Sequence, residues 1–125
     1  MKRDFDLIRD IMLRIEASDK ESFFTDDFLD LTNDERKLCY NIHLMYEAGL
    51  IEASEISIPG NLMPEYRIYW LSNTGGDFLG DIRNQSIWLK TKSTLENFGS
   101  SVAIDMVSYI AKNLIKAGLA AHLQF

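Results

Sequence analysis

The chain has 125 residues, 46% hydrophobic and 26% charged, with 13 Lys and Arg against 19 Asp and Glu for a net charge of −6. That composition fits one soluble globular domain with enough chain to bury a core, and the sign of the charge opposes a generic polyanion binder. No apolar run approaches the length of a membrane span, one cysteine (Cys39) excludes an internal disulfide and fits a reducing cytoplasm, and Cys39 with the distant His43 and His122 cannot close a zinc site.

Met1-Lys2-Arg3-Asp4 leads directly into charged amphipathic sequence rather than a signal-peptide core. Residues 4–17 are predicted to be a helix: Leu7, Ile8, Ile11, Leu13 and Ile15, with Met12 between them, are the apolar set, and Asp6, Arg9, Asp10 and Arg14 supply the other face. Asp10 and Arg14, four apart, are expected to pair. Residues 18–32 change character. Ser18 opens a Ser-x-x-Glu capping pattern, and Phe23, Phe24, Phe28, Leu29 and Leu31 are interrupted by Asp26, Asp27 and Asp30. A short strand, a short helix or both fit this stretch.

A second helix is predicted over 33–48, with Thr32 as N-cap, Glu35 completing a capping box, and Leu38, Ile42 and Met45 on one stripe. Cys39 lies beside that stripe as a small buried hydrophobe. Gly49 is the expected left-handed residue ending the helix. Strands follow on either side of Pro59-Gly60-Asn61, giving a β-hairpin over 51–71; Leu62 and Met63 at its tip suit either a protein contact or packing against the domain, and Tyr69 and Trp70 are assigned to the core. Helices are then predicted over 74–97, with Trp88 in the core, and 103–117, separated by Gly99-Ser100-Ser101 and ended by Gly118.

The negative charge is local. Residues 18–35 carry Lys20 against Asp19, Glu21, Asp26, Asp27, Asp30, Asp34 and Glu35, a balance of −6, so the rest of the chain sums to zero. A charge run is commonly a solvated face. Here it also makes Asp26, Asp27 and Asp30 a candidate surface for a basic protein partner.

Helix, short element, capped helix and hairpin, in that order, with Cys39 to Ile51 reading CYNIHLMYEAGLI, resemble the recognition helix and wing of winged-helix proteins, a helix-turn-helix class. The expected fold is α+β: a winged-helix core over 1–71 and a C-terminal helical extension over 72–125, within one domain. The blocks MKRDFDLIRDIML, YNIHLMYEAGLI and LSNTGGDFLGDIRNQSIW, with the closing amphipathic helix, resemble an uncharacterised family of phage and prophage proteins, a domain of unknown function. The resemblance implies a small cytoplasmic winged-helix-like protein and no stated activity. That family often has His where this chain has Asn41, and Gly-His where it has Gly75-Gly76.

Two roles follow as expectations. The first is a transcription regulator whose second helix enters a DNA groove through Arg36, Lys37, Tyr40, Asn41 and His43, with Arg67 on the wing. The second is a protein-interaction module that uses the acidic stretch, such as a phage protein that binds or inhibits a host factor. No nucleophile–base pair or metal set is present, so neither an enzyme nor a cofactor is expected. The apolar surplus of 103–117 suggests a homodimer through that helix.

Overall fold

In the computed structural model, which describes residues 1–56, 59–98 and 102–123 (120–123 by backbone alone), Asp4 starts the first helix. Its carboxylate accepts the Leu7 N–H at 3.1 Å, satisfying one of the donors that a helix N-terminus leaves unpaired. Helix α1 (Phe5–Ala17) then buries Leu7, Ile8, Ile11, Met12 and Ile15, the face its periodicity predicts. Each such side chain contributes on the order of 1.5–3 kcal/mol. Arg14 differs from expectation. Its guanidinium is bidentate on Asp30, at 2.5 and 2.7 Å, rather than placed on Asp10 of its own helix.

Residues 18–32 take up both of the expected forms. Phe23 and Ile68 exchange two backbone hydrogen bonds of 2.8 Å, an isolated antiparallel bridge, and Thr25–Phe28 make a single 3₁₀ turn. Phe23 and Phe28 stack at 5.9 Å and are buried. Ser18 does not open a helix. It closes α1, and its hydroxyl accepts the Lys20 N–H.

Helix α2 (Glu35–Glu47) begins later than the sequence suggests, because Asp34 is the N-cap, accepting the Lys37 N–H at 3.1 Å. Thr32 instead receives the Asp34 N–H. An ionised carboxylate at the positive end of the helix is the stronger cap. Leu38, Ile42 and Met45 are buried as predicted, and Cys39 with them. At the far end Gly49 has φ +73°, and the amides of Gly49 and Leu50 bond back to Tyr46 and Met45, closing a Schellman motif.

That corner delivers Leu50 and Ile51 into the core and starts β1 (Ile51–Ile56), which pairs antiparallel with β2 (Glu65–Leu71). Glu52 lies opposite Trp70 and Ala53 opposite Ile68, so Tyr69 is an extra residue, a β-bulge. Tyr66 and Ile68 face the core, whereas Arg67 faces away from it. Helix α3 (Asn73–Ile82) starts at Ser72. The Ser72 hydroxyl accepts the Gly75 N–H at 2.9 Å and donates to the Gly49 carbonyl, while its amide binds the Leu50 carbonyl. A Cβ on Gly75 would stand 1.9 Å from that same Leu50 oxygen, so only glycine permits this approach.

The chain divides into two compact units, Met1–Gly76 and Asp77–Phe125. The expected helix over 74–97 is two helices, α3 and α4 (Gln85–Leu95), followed by a 3₁₀ turn at Glu96–Phe98. Asn84 causes the break: its side chain accepts the Ile87 N–H at 3.0 Å and caps a new helix. Helix α5 (Ile104–Leu123) packs on α4 and runs through Gly118 rather than stopping there. Trp88, Val107 and Ala111 are buried, and Asp81 accepts the Ser108 hydroxyl. The expected break at Gly99-Ser100-Ser101 lies outside the described residues. Among the described residues no helix is long and apolar enough to cross a membrane.

Candidate functional site

The side chains expected to read DNA belong to α2 and to the hairpin beside it. Arg36 is exposed and Tyr40 half-buried. Lys37 is tied back: its Nζ lies 2.7 Å from the Asp4 carboxylate. Burial by itself would raise the Asp4 carboxyl, but Lys37 and the Leu7 amide outweigh it and hold it below the usual carboxylate range. The Lys37 ammonium is held correspondingly high.

Asn41 is not on the outward face. Its side chain is wholly buried, and its amide oxygen accepts the Asp4 N–H at 2.7 Å while its nitrogen donates to the Lys37 carbonyl at 2.9 Å and approaches the Lys2 carbonyl at 3.5 Å. The expectation of an adenine reader at this position is therefore corrected: Asn41 lashes the extended N-terminus to α2. The reason lies in helix geometry, since Asn41 falls between Leu38 and Met45 on the inward side.

His43 is also engaged. Its Nδ1 lies 2.7 Å from the Tyr66 hydroxyl and its Nε2 3.0 Å from Glu47. Both partners suit one neutral tautomer, with Nε2–H donating to Glu47 and Nδ1 accepting from Tyr66. Tyr66 also packs against Tyr46, ring centres 4.6 Å apart, and burial pushes its phenol up. This cluster fastens the hairpin to α2, and sequence reasoning did not assemble it. Arg67 faces away from α2, with its guanidinium 5.9 Å from the Phe24 ring and 5.5 Å from Tyr69. Arg36 and Arg67 therefore lie on different surfaces.

Beside α2 the hairpin tip frames an open cleft of about 530 Å³ lined by Glu35, Arg36, Cys39, Leu62, Met63 and Glu65. Leu62 is fully exposed and Met63 half-buried. The Cys39 thiol is pushed up, first by burial and then by the carboxylates of Glu65 and Glu35.

The acidic stretch is less open than its composition suggests. Asp30 holds Arg14, which also donates to the Asp27 carbonyl at 2.8 Å. The Asp27 carboxylate takes Lys20 at 2.5 Å and the Phe24 N–H at 2.8 Å. Lys20 and the Phe24 amide lower the Asp27 carboxyl, and Arg14 lowers that of Asp30. Asp34 caps α2. Asp26 is exposed. The three residues of the expected acidic surface are thus unequal: Asp27 and Asp30 hold cations of this chain, and Asp26 and Asp30 remain exposed. Over Met1–Gly76 the sequence nonetheless places eight Lys and Arg against fifteen Asp and Glu.

The structure also exposes a side chain that sequence reasoning put in the core. Trp70 is 60% exposed on the outer face of the hairpin, its ring 5.8 Å from Tyr69, whose hydroxyl meets Ser54 at 2.9 Å. The bulge at Tyr69 re-aims this end of β2, and no sequence periodicity signals it.

The family described as a hypothetical protein, DUF2513, matches residues 2–102. An uncharacterised protein of Haemophilus influenzae is 31% identical over 122 residues, which cover 96% of this chain and all of the relative. No solved structure matches. The chain belongs to the DUF2513 family.

Proposed function

We propose that this DUF2513 protein is a winged-helix-like module that binds a protein partner rather than DNA. The observation that supports this most is the state of α2: Lys37 is neutralised by Asp4 and Asn41 is buried, so Arg36 is the exposed cation of the helix that would enter a groove. The hairpin tip, Pro59 to Glu65, holds no cation to meet a phosphate and instead presents Leu62. The acidic balance of Met1–Gly76 favours a basic partner. A phage-type protein that occupies a host factor is the biological form of this reading, in keeping with the mobile-element resemblance. Exposed Met106, Tyr109 and Leu119 on α5 support a homodimer through that helix.

The test is a mobility-shift titration with a random 30-base-pair duplex at 100 mM salt. A protein-binding module leaves the duplex unshifted at 10 μM protein, whereas a non-specific DNA binder has a dissociation constant of roughly 10⁻⁴–10⁻⁶ M. The DNA-binding regulator is the second reading, favoured by the order of helix, turn, helix and hairpin and by exposed Arg36. Its signature is salt-dependent retardation that falls when Arg36→Ala and Lys37→Ala are combined.

A further inference from the structure

The outer face of the hairpin, the side turned away from α2, carries an aromatic surface that the reading above does not use. Trp70 and Tyr69 stand tilted on one another there, Arg67 bridges Tyr69 and Phe24, and Phe24 is itself exposed. Beside them runs a groove of about 400 Å³. It is lined by Ile15 and Phe23, by the pair Tyr69 and Trp70, and by the turn that leaves α1, Asp19 included. Gly76 also lines it, and an added Cβ there would meet nothing within 4 Å.

The chemistry of this groove selects its occupant. Two adjoining aromatic faces on a rigid strand suit rigid apolar rings that need no burial of their own backbone amides. The carboxylates favour a cation: Asp19 lines the groove, and Glu52 stands directly opposite Trp70 in the strand register. The C-terminal end of α1, whose carbonyls carry partial negative charge, points the same way. Lys20 adds little opposing charge because Asp27 neutralises it. An extended polyproline segment fits these terms. It is preformed, lacks internal hydrogen bonds, and docks its ring edges between aromatic side chains.

We infer that the groove beside Trp70 is a docking site for a proline-rich, left-handed extended segment of a partner protein that carries a basic residue next to its prolines. This rests on the protein-partner reading above and names the partner's chemistry. The carboxylates that favour a cation oppose the phosphates of single-stranded nucleic acid, which would otherwise stack on the same rings.

The test uses the full chain and a fluorescein-labelled peptide of repeated Pro-Pro-Leu triplets ending in arginine, read by fluorescence anisotropy. Binding is expected, with protection of Trp70 from acrylamide quenching while buried Trp88 stays unquenched. Trp70→Ala should weaken binding at least about tenfold, the loss typical of an interfacial aromatic anchor. Gly76→Phe, which fills the groove from an open helix position, should abolish it. Replacing the peptide's arginine by glutamate should weaken it about two- to fivefold. Unchanged far-ultraviolet circular dichroism and an unchanged urea midpoint in each variant show that the fold is retained. The inference is overturned if the wild-type chain ignores the peptide at millimolar concentration. It is equally overturned if the folded Trp70→Ala and Gly76→Phe chains bind as well as wild type, or if an oligothymidylate displaces the peptide. Peptide failure with an unshifted duplex removes only this inference. Duplex binding lost on Arg36→Ala with Lys37→Ala removes the protein-partner reading itself.

Discussion

Replacing Asn41 by alanine separates its two assignments, a reader of DNA and a tie that holds the N-terminus. The side chain accepts the Asp4 N–H at 2.7 Å and donates to the Lys37 carbonyl at 2.9 Å, and it is fully buried. Losing the two hydrogen bonds, one of which leaves a backbone donor without its partner, costs about 1–1.5 kcal/mol each. The expected loss for Asn41→Ala is therefore about 2–3 kcal/mol. For a chain of this length that lowers the midpoint by roughly 8–12 °C, at about 4 °C per kcal/mol. Urea unfolding followed by circular dichroism measures it, with the slope m checked for constancy. Asn41→His can still accept the Asp4 N–H and should destabilise less than alanine. A change below about 0.5 kcal/mol for Asn41→Ala, the range of an ordinary surface substitution, would refute the assignment of Asn41 as a buried tie.

Gly75→Ala should destabilise by about 3 kcal/mol or more, because its methyl would press on the backbone carbonyl of Leu50, which cannot swing aside; Gly76→Ala, in open space within the same helix, should be neutral or mildly stabilising in the same melt. Acid should act late. The carboxyls of Asp4, Asp27 and Asp30 are held below their ordinary value in the folded chain. Their stabilisation is therefore complete above the unfolded value near 4 and is lost as pH falls through the lower folded values. Unfolding free energy should be flat from pH 7 to 5 and decline below about pH 4, with a shallower decline in Asp4→Asn; a decline already present at pH 6 contradicts the sign. Cys39 should resist a thiol reagent such as dithionitrobenzoate in the native chain and react promptly in 6 M guanidinium, since burial both shields the sulfur and disfavours its thiolate.

Much of the fold was legible because it depends on local signals. The apolar stripe of α1, the Leu38, Ile42, Met45 face of α2, Gly49 as a left-handed cap and the hairpin around Pro59-Gly60 each follow from spacing or from a backbone need that one residue type meets. Errors of boundary came from competition among nearby caps. Asp34 prevailed over Thr32, and Asn84 split a helix whose apolar pattern ran on unbroken. Such choices depend on which side chain the surrounding packing leaves free to turn inward.

The candidate site was less legible, for a different reason. Residue type and charge can be counted along a chain, but a side chain's partner is set by contacts that join distant segments. Lys37 reads as an exposed cation until Asp4, thirty-three positions away, is folded against it, and Asn41 reads as a base reader until the same segment covers it. Arg14 reads as a partner of Asp10, and Asp30 as part of an open acidic surface, until the two meet. Trp70 was placed inside on hydrophobicity, and a single extra residue in the β-ladder turned it outward. The sequence by itself determined the order of elements, most of the core and the local origin of the −6 charge. Only the tertiary structure decided which charges remain available to a partner and which aromatic rings face solvent, because both depend on long-range pairing that no local period records.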